Sequence, residues 1–426
     1  MKYAYVNGII LDGSETMAPQ EHQVILTDGE NIEAIVPDGT SLRGYQVIDL
    51  KRQYIMPGLV NLHVHLPASG KPQKKQQDNV KLVKLVTRNK VTRSIARRLC
   101  EHYARMQLMS GVTTIRTMGG ILDFDSVIRD RILSGKTVGP RILAANMAVS
   151  VPDGHMAGSL AYSATSAAQA GSYVRQIADD GPDLIKLMIT GGVLDAKVKG
   201  EPGELKMPPE YVKAACEEAH SRGLKVAAHV ESSEGVRVAL ENGVDTIEHG
   251  AVLDDAAIQL FQETGACHVA TLSPALPYAL FDRSVSHVSE MEQYNGNVVF
   301  EGIISCAKTC LEHNIPVGLG TDTGCPFTTQ YDMWREVNYF HKFCNVSNTF
   351  ALYTATKRNA QLAGLGDQTG SIEPGKCADM IVTKDNPLEN LEALRHVTMV
   401  VARGTIYADP KVKKMAQVEA ALDEFL

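Results

Sequence analysis

The chain changes its hydrophobic rhythm twice. Near the N-terminus the runs YAYVNGIIL, HQVILTDGENIEAIV and YQVIDL alternate or stay apolar for a few residues and are broken by Gly, Asp or Asn. Near the C-terminus the turn EPGKC is followed by ADMIVTK and TMVVARGTIY, which behave the same way. Short apolar runs bounded by such breakers read as strands. Between roughly 57 and 365 each short apolar run is followed by helical spacing, repeatedly. Eight strands are predicted there, over 55–66, 111–118, 140–149, 184–190, 225–230, 246–250, 267–272 and 316–322. Helices are predicted over 207–222, 253–264 and 298–313. MPPEYVKAACEEAHSRG shows the logic, with Pro at its start, apolar residues at helical spacing and Gly just past its end. KVKKMAQVEAALDEF reads as a terminal helix. There is no internal repeat and no low-complexity linker.

Eight strand–helix units predict an α/β fold, a closed (β/α)8 TIM barrel over 57–365. The two ends, 1–56 and 366–426, are predicted to meet as a small β-sandwich domain. A length of 426 residues, 44% of them hydrophobic, suits one large domain with a smaller companion. The net charge of −7 argues against a general attraction to nucleic acid. No apolar run approaches the roughly 20 residues of a membrane span, and MKYAYVNGIILDGSE lacks the signature of a signal peptide. The eight cysteines are scattered without a CxxC pair, and only Cys306 and Cys310 stand close, at helical spacing in a buried-looking segment. The expectation is a reduced, cytoplasmic compartment with no disulfide framework and no membrane partner.

In a barrel of this kind chemistry sits at the C-terminal strand ends. GLVNLHVHLPASG puts His63 and His65 on one face of the first strand. DLIKLMIT carries Lys186, KVAAHVES His229, DTIEHG His249 and PVGLGTDTG Asp322. Singly, each has an ordinary explanation: a satisfied core histidine, a lysine snorkelling to water, an aspartate in a turn. Together, four imidazoles, a carboxylate and an amine at five strand tops would be costly to bury without partners. Imidazole and carboxylate are the ligands of a borderline divalent cation such as Zn2+.

These motifs resemble those of the amidohydrolase superfamily across nearly the whole chain. MPGLVNLHVH is similar to its first-strand HxH motif. GVTTIRTMGG, DLIKLMITGG, AAHVES, DTIEHG and GLGTDTG are similar to its later barrel motifs, and GSIEPGKCADMIV to the re-entry into the small sandwich. The branch most resembled is that of prolidase-like and imidazolonepropionase-related enzymes. The resemblance implies two divalent metal ions, with zinc expected. One would be held by His63, His65 and Asp322, the other by His229 and His249, with Lys186 carboxylated by CO2 as the bridge. It implies hydrolysis of an amide bond, of peptide or N-acyl amino acid type, by a metal-bridging hydroxide, with Asp322 as proton shuttle. A desolvated lysine has a depressed pKa, and its neutral amine can add CO2.

Departures from the family pattern bear on the substrate. Many relatives read R-D-x-G-G after the second strand, where this chain has Arg116-Thr117-Met118-Gly119-Gly120. Glu231 stands where prolidase-like members have a substrate-contacting Tyr. A carboxylate there suits an amine and repels a substrate carboxylate. His155, in VPDGHMAG, matches a loop histidine that relatives use near the scissile group. Tyr278 is a further candidate pocket residue, in one of two long polar loops expected after the fourth and seventh strands, GGVLDAKVKGEPGELKM and SPALPYALFDRSVSHVSE. Cys325 reads as a small packed residue, and His220 and His313 as helix C-terminal residues without chemistry.

Residues 70–98 hold ten Lys or Arg against one Asp. This segment reads first as a solvated helix face; because it follows the first strand, its start, Lys74 and Lys75 included, should overhang the barrel mouth, and the alternative is a basic lid that draws an anionic substrate. Glu231 pulls the other way, and a zwitterionic small molecule reconciles the two. Members of this branch often form homo-oligomers. Two rival readings remain: a single-metal hydrolase or deaminase of a cyclic amide or imine, in which Lys186 has no bridging role, and a non-catalytic barrel scaffold.

Overall fold

The structure is a computed structural model and describes residues 1–73 and 78–426. Its centre is a seven-stranded parallel sheet. In spatial order its strands are Ala161–Ser163, Ala148–Ser150, Leu184–Met188, Lys225–Val230, Thr246–His249, Cys267–Ala270 and Val317–Leu319. A three-stranded parallel sheet, Leu59–Val64, Val112–Thr117 and Arg141–Leu143, continues it. The two are stitched on one side by a parallel bridge between Val64 and Thr323, reinforced by Asp322 N–H donating to His63 O at 2.8 Å. On the other side no ladder joins Arg141–Leu143 to the seven-stranded sheet among the described residues. The predicted closed barrel is thus met as two parallel sheets joined along one seam.

Helices follow the strands and share one large core with them. Lys90–Met109, Phe124–Leu133, Ala167–Asp179, Pro209–Ser221, Ser233–Glu241, Asp255–Thr264, Glu290–Glu312 and Met333–Cys344 each present an apolar side inward. Leu108, Ile128, Val174, Val212, Val236, Phe261 and Phe300 pack there against Leu59, Val112, Ile185, Val226 and Ile247 of the strands. Each such side chain contributes about 1.5–3 kcal/mol when fully buried.

The two chain ends form two further sheets. One orders Asn31–Pro37, Gln23–Asp28, Lys2–Val6 and Gln46–Asp49. The other orders Thr405–Ala408, Val397–Ala402, Met380–Thr383, Tyr54–Pro57 and Ile9–Ile10. Tyr5, Ile25 and Ile32 of the first share a core with Ile10, Ile55, Met380 and Val401 of the second.

Several predicted elements need correction. The first strand, 55–66, is two strands in different sheets, broken at Gly58. A side chain at Gly58 would collide with Thr113 at 2.2 Å, so only glycine lets the strands pass. The third, 140–149, is also two strands, separated by irregular backbone in which Asn146 takes a left-handed φ of 60°. The expected loop 273–290 is largely helical, Leu272–Leu280 and Arg283–Ser286, with Pro277 inside the first helix. The helix expected from 298 starts at Glu290, behind a Ser289–Glu292 capping box. The terminal helix covers only Ala416–Asp423.

Candidate active site

All six strand-end residues come together. His63 ends one strand face, and His65 lies just beyond Val64. Lys186, His229 and His249 sit in three consecutive neighbouring strands, and Asp322 follows Val317–Leu319. Asp322 Oδ1 lies 3.2 Å from His65 Nε2 and 3.5 Å from His63 Nε2. The His63 and His249 ring centres are 4.9 Å apart, and those of His229 and His249 4.6 Å. One ligand atom each of His63, His249 and Asp322 falls within 4.8 Å of the others, and so for His229, Glu231 and His249. The second group adds Glu231, which the sequence marks as a pocket residue, to the possible ligands.

The backbone is bent to aim these groups. His249 and Asp322 hold left-handed φ angles of 69° and 52°, which non-glycine residues adopt only under local constraint. Gly320 lets the Asp322 segment ride directly on His63, where an added Cβ would meet the His63 Cβ at 2.4 Å.

Hydrogen bonds orient the rings. His65 Nδ1 donates to Gly119 O at 2.8 Å, and His63 Nδ1 faces Glu248 Oε2 at 2.7 Å. Both arrangements leave Nε2, with its lone pair, turned toward Asp322. His249 Nδ1 meets Thr271 Oγ1 at 2.7 Å, while His229 Nε2 donates to Gly191 O at 3.1 Å. The His229 ring also stacks on His155 at 4.2 Å, 6° from parallel. His155 is in turn held by Asp195, Nδ1 to Oδ2 at 2.5 Å.

Glu248 escaped the sequence reading. Wholly buried, it binds His63, accepts from Arg116 Nη2 at 2.7 Å and accepts from Thr246 Oγ1 at 2.8 Å. The available signal was an acid inside an apolar strand, Thr-Ile-Glu-His. Burial alone would raise its carboxyl, but Arg116 and His63 outweigh that and hold it far below the usual range. Burial first, then Lys186, lowers His63 to about 4, so its ring is neutral at pH 7. Burial would raise Asp322, yet His63, His65 and His249 keep it ionised.

Lys186 is 1% exposed, and its Nζ has no hydrogen-bond partner. Burial lowers it to about 8 against the pull of Glu248 and Asp322. Asp322 Oδ1 and Glu231 Oε2 are likewise buried without partners. Burial, then Asp322 and Asp195, pushes the Glu231 carboxyl well up. Three unsatisfied polar atoms in one place ask for a ligand.

The remaining candidates lie around this cluster. Tyr278, half-buried, stands on Leu272–Leu280 against Gly296. Burial first, then Cys325 and nearby acids, raises its phenol well above its ordinary value. Cys325 Sγ reaches Asp322 Oδ2 at 3.8 Å. His220 pairs with Asp245 at 2.9 Å near its helix end, and His313 caps Glu290–Glu312. The basic segment forms Asn79–Val86 and the start of Lys90–Met109. Val80 lies beside Gly158, in the loop that bears His155, while Lys74 and Lys75 are outside the described residues. No helix among the described residues is long and apolar enough to cross a membrane.

Imidazoles, a carboxylate and a buried amine converging at the C-terminal ends of parallel strands define a metal-dependent hydrolytic enzyme. The chain belongs to the amidohydrolase family, whose profile matches residues 54–407. A solved Bifidobacterium longum structure, named provisionally as a prolidase, is 34% identical with a TM-score of 0.87, covering 99% of this chain and 98% of that one. A Xaa-Pro dipeptidase with methionine bound in its active site is 29% identical, TM-score 0.83, covering 96% of this chain and 100% of that one. Ochratoxinase from Aspergillus niger is 25% identical over 335 residues, 72% of this chain and 67% of the relative. The family makes this chain a hydrolase of C–N bonds.

Proposed function

We propose that the chain hydrolyses the amide bond of a dipeptide or N-acyl amino acid, using two divalent cations, zinc by preference. His63, His65 and Asp322 would hold one, His229 and His249 the other, and Lys186, carboxylated by CO2, would bridge them. The observation that carries this reading is the partnerless, buried Lys186 Nζ among Asp322, Glu248 and Glu231. A bare amine is a poor occupant of that position. With a pKa near 8, a neutral fraction at pH 7 can form an N–C bond to CO2 and release a proton. The carbamate then presents two oxygens to the cluster.

When bound, the cations supply Lewis acidity and lower the pKa of a water at the site. Asp322, kept ionised by its histidine neighbours, takes a proton and returns it to the leaving amine. His155, fixed by Asp195 and stacked on His229, faces the substrate beside the scissile bond. Glu231 receives the substrate's ammonium group, whose positive charge would draw its raised carboxyl back to the ionised form, and Tyr278 lines the pocket. The bound methionine of the Xaa-Pro dipeptidase relative supports an amino-acid-sized substrate. We read 57–365 as a (β/α)8 barrel and the two end sheets, 1–56 and 366–426, as its sandwich domain. Eight free cysteines favour a reduced, cytoplasmic setting.

The test is metal content together with a library of dipeptides and N-acyl amino acids. Wild type should carry two equivalents and cleave library members. Lys186→Ala should lose both equivalents together and regain some activity with added short carboxylic acids. A single equivalent that survives Lys186→Ala would instead favour the one-metal hydrolase or deaminase of a cyclic substrate.

A further inference from the structure

A second cluster lies behind the active site. His268, Cys306 and Cys310 are each completely buried, and one ligand atom from each falls within 4.8 Å of the other two. The cysteines sit one turn apart on Glu290–Glu312, facing the Cys267–Ala270 strand that carries His268. His268 Nε2 lies 2.7 Å from His249 O, and because a carbonyl only accepts, Nε2 carries the ring proton. Nδ1 therefore keeps its lone pair, and it is buried with no hydrogen-bond partner. A neutral imidazole with an idle lone pair beside two thiols is the donor set of a thiophilic cation.

Gly250 leaves room at the cluster. A Cβ there would stand 2.6 Å from Cys306 Sγ and 2.9 Å from His268 Nε2. We propose that His268, Cys306 and Cys310 form a buried site for a thiophilic divalent cation of the Zn2+ and Cd2+ class. The charge count selects a dication. Two thiols each release one proton to solvent on binding, and two thiolates, a neutral ring and a dication sum to zero. A monovalent cation would be neutralised by one thiolate alone, leaving the second thiol protonated and a weak donor. The site shares no ligand with the active centre, and His268 meets it at the His249 carbonyl.

Cd2+ titrated into the reduced, zinc-loaded protein tests this, both natively and during refolding, since entry requires the helix to open. Wild type should develop a thiolate-to-cadmium charge-transfer band. It should also hold one more equivalent than the Cys306→Ser, Cys310→Ser double variant, which should retain hydrolytic activity. Cys325→Ser should keep the band. Absence of the band in both wild-type preparations overturns the proposal without recourse to any variant, as does a band that persists in the double variant. Should the double variant fail to fold, Cys306→Ala and Cys310→Ala must each weaken the band, and an unchanged band in either overturns the assignment.

Discussion

Glu248 and His63 meet at 2.7 Å, Oε2 to Nδ1, with the imidazole 1% exposed and the carboxylate fully enclosed. The same carboxylate holds Arg116 through its other oxygen. One acid therefore sets the tautomer of a candidate ligand and neutralises the Arg116 guanidinium.

Glu248→Gln keeps the shape and removes the charge. Metal affinity should fall on the order of 10–100-fold, as for other lost partners of ligating histidines. Stability should drop by about 3–5 kcal/mol, because Arg116 is left buried without its counter-charge. Chelator competition and thermal unfolding measure the two effects. Unchanged metal affinity would show that His63 does not need Glu248.

Glu231→Gln should separate substrates by their N-terminal charge. One desolvated charged hydrogen bond contributes about 1.5–3 kcal/mol, so kcat/KM for dipeptides with a free ammonium should fall roughly 10–100-fold. N-acylated counterparts should change far less. Equal losses on both would remove Glu231 from substrate recognition.

Glu336 gives a pH signature away from the centre. It is fully buried, and its two oxygens accept from the N–H groups of Leu272 and Ser273. Burial raises its carboxyl from 4.5 to about 7 despite those bonds. Between these values the folded state binds more protons than the unfolded state, so stability is fullest below 4.5 and is lost as pH rises toward 7. Glu336→Gln removes that slope. The variant should gain up to about 3 kcal/mol on wild type across the window, followed by melting at several pH values. A constant difference would mean that Glu336 does not titrate there.

Arg335 is wholly buried and binds Asp332, Glu419 and Asp423, the last at 2.6 Å. It therefore ties the terminal helix Ala416–Asp423 to Met333–Cys344. Arg335→Ala should destabilise by about 3–5 kcal/mol, since it leaves Asp332 buried without its counter-charge, although Arg395 still holds Glu419 and Asp423. Limited proteolysis should then cut first ahead of Ala416. An intact C-terminus would show that other contacts hold the helix.

The convergence of the candidate cluster was legible because its residues are polar intrusions into apolar strands at similar depths: His63, Lys186, His229 and His249 each interrupt such a run. Glu248 was hidden by its neighbour. Strand alternation should send adjacent residues to opposite faces, but the left-handed backbone at His249 re-aims that ring, so both serve one site. Gly58 and Asn146 hid strand breaks, because the constraint at each is a distant contact or a left-handed backbone rather than a local breaker cluster. Pro274 and Pro277 made Leu272–Leu280 look like loop, although tertiary burial holds it helical. The capping box at Ser289 was readable and would have placed the start of Glu290–Glu312.

Tyr54–Pro57 pairs with Met380–Thr383, more than three hundred residues later. During synthesis this early strand leaves the ribosome with one edge that its native partner can cover only after residue 383 has emerged. Nascent chains stalled before residue 380 should consequently be sticky clients for chaperones.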